Sequence, residues 1–451
     1  MVFSSALILL SSCGSNSSYI DEPFPLASND KINNRQYFRV RSPVVCNQEN
    51  RNRFIYQVMH DSYLWATDVP ELDYTQYKSD KIILDTLKSR EDHFSFIVDK
   101  QEATDYFEKG ENSNFGFSIE LTSLNKEHYA LVITFVYPNS PADRAGFKRG
   151  QIITQVENQP LIQENIDKII ANLEDKKSIT FTFSKGDTTY NKRISKERYE
   201  INPILYTNSF IDSNGDHKIG YMVFQDFIDS AKEKLDNLFW EFKRDKIDEL
   251  ILDLRYNGGG SVDIANHLAS LIGGSNVSEN IFHYVSLNER YSKYNFHSYF
   301  EKENSNALNL NRVFILTTRA SCSASELLIN ALRASINNIE VVQIGEATCG
   351  KPYGFMGSGS FCEKSLFAIN METKNSDGIG GYTQGILPTC SLKDDIFKDF
   401  GDPKEALLKE ALFFISKNEC SKEEKREEKP HRKDLSRELK REGFKRIMPA
   451  F

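Results

Sequence analysis

Histidine is scarce in this chain: eight occur in 451 residues, and none lies in the two segments that hold the candidate nucleophile and base. A serine activated by a neighbouring imidazole therefore has no local support, and another base has to be found. Long hydrophobic runs are also wanting at the N-terminus, where the apolar stretch Phe3 to Leu10 is too short to cross a bilayer as a helix. Positive charge is not in excess: the formal net charge is −8, which gives no reason to expect nucleic-acid binding. The glycine run Gly258-Gly259-Gly260 lacks the lysine and hydroxyl that would follow in a phosphate loop, Ser261-Val262 standing in their place. What remains is ordinary globular composition, 39% hydrophobic and 27% charged, in a chain long enough for about three domains.

The most informative segment is Ser321-Cys322-Ser323-Ala324-Ser325-Glu326. The β-branched run Val313 to Leu316 leads into it, and Leu327, Leu328, Ala331 and Leu332 follow at helical spacing, so the serines fall between a strand and a helix N-terminus. The first amides of a helix are unpaired and carry partial positive charge, which suits an oxyanion. Helix capping alone would also explain a serine here; Ser321 or Ser325 can cap while Ser323 does chemistry. Downstream, Lys351 closes Gly345-Glu346-Ala347-Thr348-Cys349-Gly350-Lys351. A desolvated lysine with a lowered pKa can take a serine proton at neutral pH. Upstream, Leu250 to Arg255 reads as a buried strand running into Tyr256-Asn257-Gly258-Gly259-Gly260, where glycine lets the backbone approach a ligand.

In that order these segments resemble the C-terminal processing (tail-specific) serine peptidases. The resemblance implies a multidomain α/β protein: a small N-terminal helical domain, a PDZ-like β-rich domain and an α/β catalytic domain of the ClpP/crotonase-like type. It makes Ser323 the nucleophile and Lys351 the general base, with the Ala324 amide and that of Gly258 or Gly259 as oxyanion hole. Acyl transfer through a serine ester follows, with protein or peptide substrates and neither metal nor cofactor. Two departures stand out. Lys351 lies 28 residues after Ser323, a few more than the resemblance leads one to expect, with Ala334 to Asn338 as the candidate insertion; and Phe355 stands where many members have a glutamine that orients the lysine. The third catalytic group is thus unassigned, and a catalytically inactive, peptide-binding surface lipoprotein is the rival reading.

Phe115-Gly116-Phe117-Ser118, the strand-like Ala130 to Tyr137 and Ser140-Pro141-Ala142-Asp143-Arg144-Ala145-Gly146 are similar to a PDZ domain. That implies a loop at Phe115, Gly116, Phe117 and Ser118 receiving a peptide's terminal carboxylate, with the next strand pairing to the peptide. Ile166, Ile169 and Ile170 on a Gln163 to Leu173 helix face either the groove or the core. The domains expected are 50–110 helical, 111–200 PDZ-like and 201–417 catalytic, the last closed by a glycine-rich strand segment from Gly380 to Thr389. His267, on a helix from Val262 to Leu271, is the histidine nearest the glycine run and reads as a surface or satisfied core group.

At the N-terminus, Leu10-Ser11-Ser12-Cys13 resembles a lipobox, which implies a signal peptide over 1–12, lipidation at Cys13, a tether over 13–49 and a place in the bacterial cell envelope, periplasmic or surface-exposed. Six further cysteines, Cys46, Cys322, Cys349, Cys362, Cys390 and Cys420, permit disulfides in any of 15 pairings or a set of buried thiols. A bridge from Cys349 to Cys362 or Cys390 would fix the lysine's loop. Residues 418–451, dense in Lys, Arg and Glu, read as a solvated helix or disordered tail.

Overall fold

The computed structural model describes residues 40–123, 128–186, 188–302, 304–356 and 359–421; the lipobox with Cys13 and the charged tail lie outside them. The described residues fall into two units, one running to Ile97 and taking in Phe355–Ile369, the other holding the rest. The sequence had grouped 50–110 together and had put 355–369 with the catalytic residues. The helix Lys100–Phe107 belongs instead to the second unit, and the hairpin Gly359–Phe361 with Lys364–Phe367 to the first.

The first unit is built on the helix Gln48–Asp61, capped by the Asn47 side chain, which buries Phe54, Ile55, Val58 and Met59 at helical spacing on one face. Cys46 is bonded to Cys362, so the end of the segment expected as a tether is tied into this unit.

In the second unit, the PDZ-like sheet runs in the order Phe117–Ser123, Tyr129–Val136, Ile152–Val156, Ser178–Lys185, Thr188–Ser195. Pro141–Arg144 forms a short helix, with Ser140 at its N-cap. The longer helix spans Gln163–Asp175; Ile166 and Ile169 are buried and Ile170 is half-buried, so the first two serve the core.

The catalytic region is a six-stranded sheet in the order Ile204–Ile211, Lys218–Phe224, Glu249–Asp253, Arg312–Thr317, Glu340–Gly345, Cys390–Ser391, antiparallel at its first pair and parallel thereafter. The strands are apolar on both faces because both are covered. Val313 and Ile315 join Ala324 to Leu332 and the helices Ala231–Arg244 and Val262–Gly273 in one core, whereas Phe314 and Leu316 pack with Leu407, Leu408 and Phe414 of the helix Ala406–Lys417 in the other. This two-residue alternation is the pleat of the strand. Gly380 to Thr389 is not a strand, as the sequence suggested, but turns and irregular chain ahead of Cys390–Ser391.

Below the glycine run lies a buried ionic cluster. Arg255, fully enclosed, bonds Asp253 at 2.7 Å, Asp394 at 2.6 Å and Glu405 at 2.9 Å. Arg149 of the PDZ-like region adds bonds to Asp394 at 2.8 Å and to the Tyr256 hydroxyl at 2.6 Å. Removing one partner from such a group leaves an uncompensated buried charge, at a cost of about 3–5 kcal/mol.

Candidate active site

Three adjacent parallel strands deliver the three sequence segments to one sheet edge. Glu249–Asp253 leads to the glycine run, Arg312–Thr317 to the serine turn and Glu340–Gly345 to the lysine loop, all beyond the strands' carboxyl ends. Open α/β sheets bind ligands at that edge.

Of the three serines, the structure singles out Ser323. The Ser321 hydroxyl donates to the Leu254 carbonyl at 2.7 Å, and the Ser325 hydroxyl to the Asn257 carbonyl at 3.1 Å. Both are buried, whereas Ser323 is half-buried. Ser323 also holds φ 56° and ψ −111°, an unfavourable conformation for a residue with a Cβ, costing about 1–3 kcal/mol and found where a side chain must be presented at a sharp strand-to-helix turn. The N-cap residue of the helix Ala324–Leu332 is Ser323 itself, not Ser321 or Ser325 as the sequence allowed.

Glu326 joins the serine turn to the lysine loop. Its Oε2 accepts the Ser323 N–H at 2.9 Å and the Lys351 N–H at 2.8 Å. Its Oε1 accepts the Gly350 N–H at 2.8 Å and the Thr348 hydroxyl at 2.5 Å. The carboxyl is fully buried, which pushes its pKa up, while these donors pull the other way. Sequence reasoning quoted Glu326 only as a motif letter. The signal was present: Ser-x-x-Glu at a helix start is the capping-box pattern, whose glutamate turns back to the N-cap amide.

A disulfide makes the second junction. Cys322, directly before Ser323, is bonded to Cys349, two residues before Lys351. Neither partner proposed for Cys349 was right: Cys362 pairs with Cys46 and Cys390 with Cys420. The Cys349 N–H adds a bond to the Ser321 carbonyl at 3.0 Å. Close backbone packing completes the lysine loop, for a Cβ on Gly350 would fall 2.3 Å from the Thr383 carbonyl oxygen and one on Gly385 2.2 Å from that of Thr348.

Asn257 orders the glycine run. Its carbonyl accepts the Cys322 N–H at 3.0 Å, its side-chain nitrogen donates to the Phe224 carbonyl at 3.0 Å and its side-chain oxygen accepts the Gly259 N–H at 2.8 Å. The Gly259 amide is thereby committed. Among the described residues, the Gly258 and Ala324 amides have no acceptor. Gly259 still matters, at φ 106°, because a Cβ there would lie 2.8 Å from Ser323 Cβ and 3.0 Å from the Ala324 nitrogen.

The remaining candidates sit elsewhere. Phe355 packs edge-on against Phe96 and Phe367 at ring separations of 5.8 and 5.6 Å, so it offers the lysine no polar group. His267 is buried, its Nδ1 bonded to Glu301 at 2.7 Å; its Nε2 lies 3.3 Å from Asp236 but makes no hydrogen bond, so the ring is only half satisfied. In the PDZ-like loop, Phe115, Gly116, Phe117 and Ser118 are all buried. The Gly116 N–H is taken by the Asn114 side chain at 2.7 Å, which removes it from the amides expected to meet a carboxylate. Phe117–Ser123 is the terminal strand in the sheet order.

Residues 218–373 match the model of peptidase family S41, residues 50–96 that of the peptidase S41 N-terminal domain and residues 132–183 that of a PDZ domain. The chain carries a peptidase family S41 domain. It is 24% identical over 341 residues to the carboxy-terminal processing protease CtpB of Bacillus subtilis, covering 74% of this chain and 66% of that one. A Staphylococcus aureus protein described as a CtpA-like serine protease is 23% identical over 229 residues, covering 50% and 43%. The chain thus spans less than two thirds of the length of these curated relatives. Among solved structures, one from Bacteroides fragilis described as an S41 protease aligns with TM-score 0.64 at 23% identity, covering 81% of this chain and 97% of that one. The photosystem II D1 C-terminal processing protease aligns with TM-score 0.51 at 16% identity, covering 77% and 94%. These two likenesses show a shared multidomain α/β fold.

Proposed function

We propose that this S41 chain is a serine endopeptidase of the C-terminal processing type. Neutral Lys351 takes the Ser323 hydroxyl proton as Oγ attacks a substrate carbonyl carbon; the resulting oxyanion is held by the Ala324 and Gly258 amides. The C–N bond then breaks, Lys351 returns the proton to the leaving amine, and water releases the acyl group from Ser323 by the reverse sequence. The PDZ-like region, with the loop at Phe115 to Ser118, engages the substrate's free C-terminus through the edge of strand Phe117–Ser123. The observation that carries this reading is the single Glu326 oxygen accepting both the Ser323 and Lys351 amides.

The test compares an unstructured peptide with free or amidated C-terminus, using the wild type, Ser323→Ala and Lys351→Ala. Cleavage by the wild type and none by either variant is expected, with the free C-terminus preferred. Undiminished cleavage by both variants eliminates the dyad; equal cleavage of the two peptides removes only the tail recognition.

Lipidation at Cys13 and attachment to a bacterial membrane in the cell envelope belong to the same proposal. Three disulfides in the described residues support an oxidising compartment. Incorporation of a labelled fatty acid, lost in Cys13→Ala, checks the anchor.

A further inference from the structure

The Cys322–Cys349 bond is set one residue from the proposed nucleophile and two from the proposed base, beside the carboxylate that takes both their amides. We propose that this disulfide is a positioning tie for the Ser323–Lys351 pair, so that the oxidised bond is a condition of full activity. The inference rests on the dyad reading above.

The bond is placed to act on geometry more than on folding. The lysine loop keeps other anchors: the Thr348 N–H to the Ile386 carbonyl at 3.2 Å, the Ile386 N–H to the Thr348 hydroxyl at 2.7 Å, and Gly350 to Glu326. The serine turn is rooted in a helix whose residues Ala324 to Leu332 are all buried. Cutting the bond therefore leaves both segments in place on Glu326 but removes the covalent tie between them, loosening their relative position. A displacement of about 1 Å in such a constellation costs on the order of 10²-fold in rate.

Opening needs a reductant, and a dithiol supplies it. Cys322 is buried and Cys349 half-buried, so an incoming thiolate reaches Cys349 Sγ first. It forms a mixed disulfide there and expels Cys322 as a thiolate, which takes a proton. The second thiol of the reductant displaces Cys349 in the same way and leaves as a cyclic disulfide. Two electrons pass from the dithiol to the protein, whose products are two thiols.

The full chain is assayed for peptide cleavage and for labelling by a serine-directed fluorophosphonate between pH 6 and 10, before and after dithiothreitol. Cys322→Ser/Cys349→Ser is compared with the two other disulfides removed pairwise, Cys46→Ser/Cys362→Ser and Cys390→Ser/Cys420→Ser. Reduction is expected to lower kcat about 10- to 100-fold, with KM within about twofold and far-UV circular dichroism unchanged. The Cys322→Ser/Cys349→Ser variant should show the same lowered kcat and no response to dithiol; the two control variants should keep both activity and response. Unchanged kcat in the reduced, folded protein overturns the proposal. So does a loss matched by loss of structure, or an equal loss in a control. A failure of this kind leaves an active oxidised enzyme; an oxidised protein that neither cleaves nor labels at any pH overturns the dyad and this inference together.

Discussion

Asp226 should make stability fall as pH rises from 4 to 7, and Asp226→Asn should remove that contribution. The carboxyl is enclosed between two phenols, Tyr106 donating at 2.5 Å and Tyr137 at 2.7 Å, with Tyr199 beside Tyr137. Burial pushes its pKa from 3.8 up to about 6, the two hydrogen bonds holding it back. The folded state thus holds this proton more tightly than the unfolded chain. Its contribution is full below the unfolded value, and is lost as pH climbs through about 6. A displacement of about two units, most of it realised between pH 4 and 7, corresponds there to about 2 kcal/mol. The neighbouring phenols do not titrate in this window, since burial and Asp226 raise them all. Other carboxylates, Asp394 among them, are shifted down and contribute in the opposite sense. The measurement is therefore a difference: urea unfolding of wild type and Asp226→Asn at each pH. The variant should gain about 2 kcal/mol relative to the wild type between pH 4 and 7. A difference constant to within about 0.5 kcal/mol across that range, or one of opposite slope, would refute the reasoning.

Gly259→Ala should cut labelling of Ser323 by about 10²-fold or more while the protein stays folded, because the new Cβ would lie 2.8 Å from Ser323 Cβ and 2.9 Å from the Cys322 carbonyl oxygen. Labelling kinetics alongside a thermal melt separate this from simple unfolding. His267→Ala should lower stability, by loss of a buried group bridging Glu301 and Asp236, and leave the pH profile of kcat where it was. A limb near the ordinary histidine range that disappears in this variant would displace Lys351 as the base.

Much of this architecture could be read from the sequence because its signals are local. Leu250, Ile251, Leu252 and Leu254 are buried together, as an apolar run in a covered parallel strand must be, and Ile219 to Phe224 behave likewise. The Ser140-Pro141 segment, singled out by its resemblance to a PDZ domain, does open a short helix, with Ser140 as cap and Pro141 in its first turn. What escaped the sequence depends on which strand ends become neighbours. Cys322 and Cys349 meet because Arg312–Thr317 and Glu340–Gly345 are adjacent and parallel, a pairing that six cysteines in a line do not reveal. Gly259 looked equivalent to Gly258 until the Asn257 side chain was seen to take its amide. Gly380 to Thr389 has strand-like residues, yet its glycines serve close contact, Gly385 lying against Thr348.

The long interval between Ser323 and Lys351 has a physical resolution in the same geometry. The segment expected to hold extra residues forms the short turn Ser335–Asn337, held by Ser335 bonds to Asp377 at 2.7 and 2.8 Å and by Asn337 to the Ala331 carbonyl at 2.9 Å. That turn follows the C-terminal end of the nine-residue helix Ala324–Leu332, whose N-terminal end carries Ser323. At 1.5 Å per residue the helix puts about 13 Å between the two ends. Chain length added at the turn does not pass through the site, because the lysine loop is docked through space by Glu326 and the Cys322–Cys349 bond. One glutamate at the third helical position therefore does two things: it caps the helix at Ser323 and receives the returning strand's loop. The separation of the two residues along the chain is free to vary so long as that carboxylate stays in place.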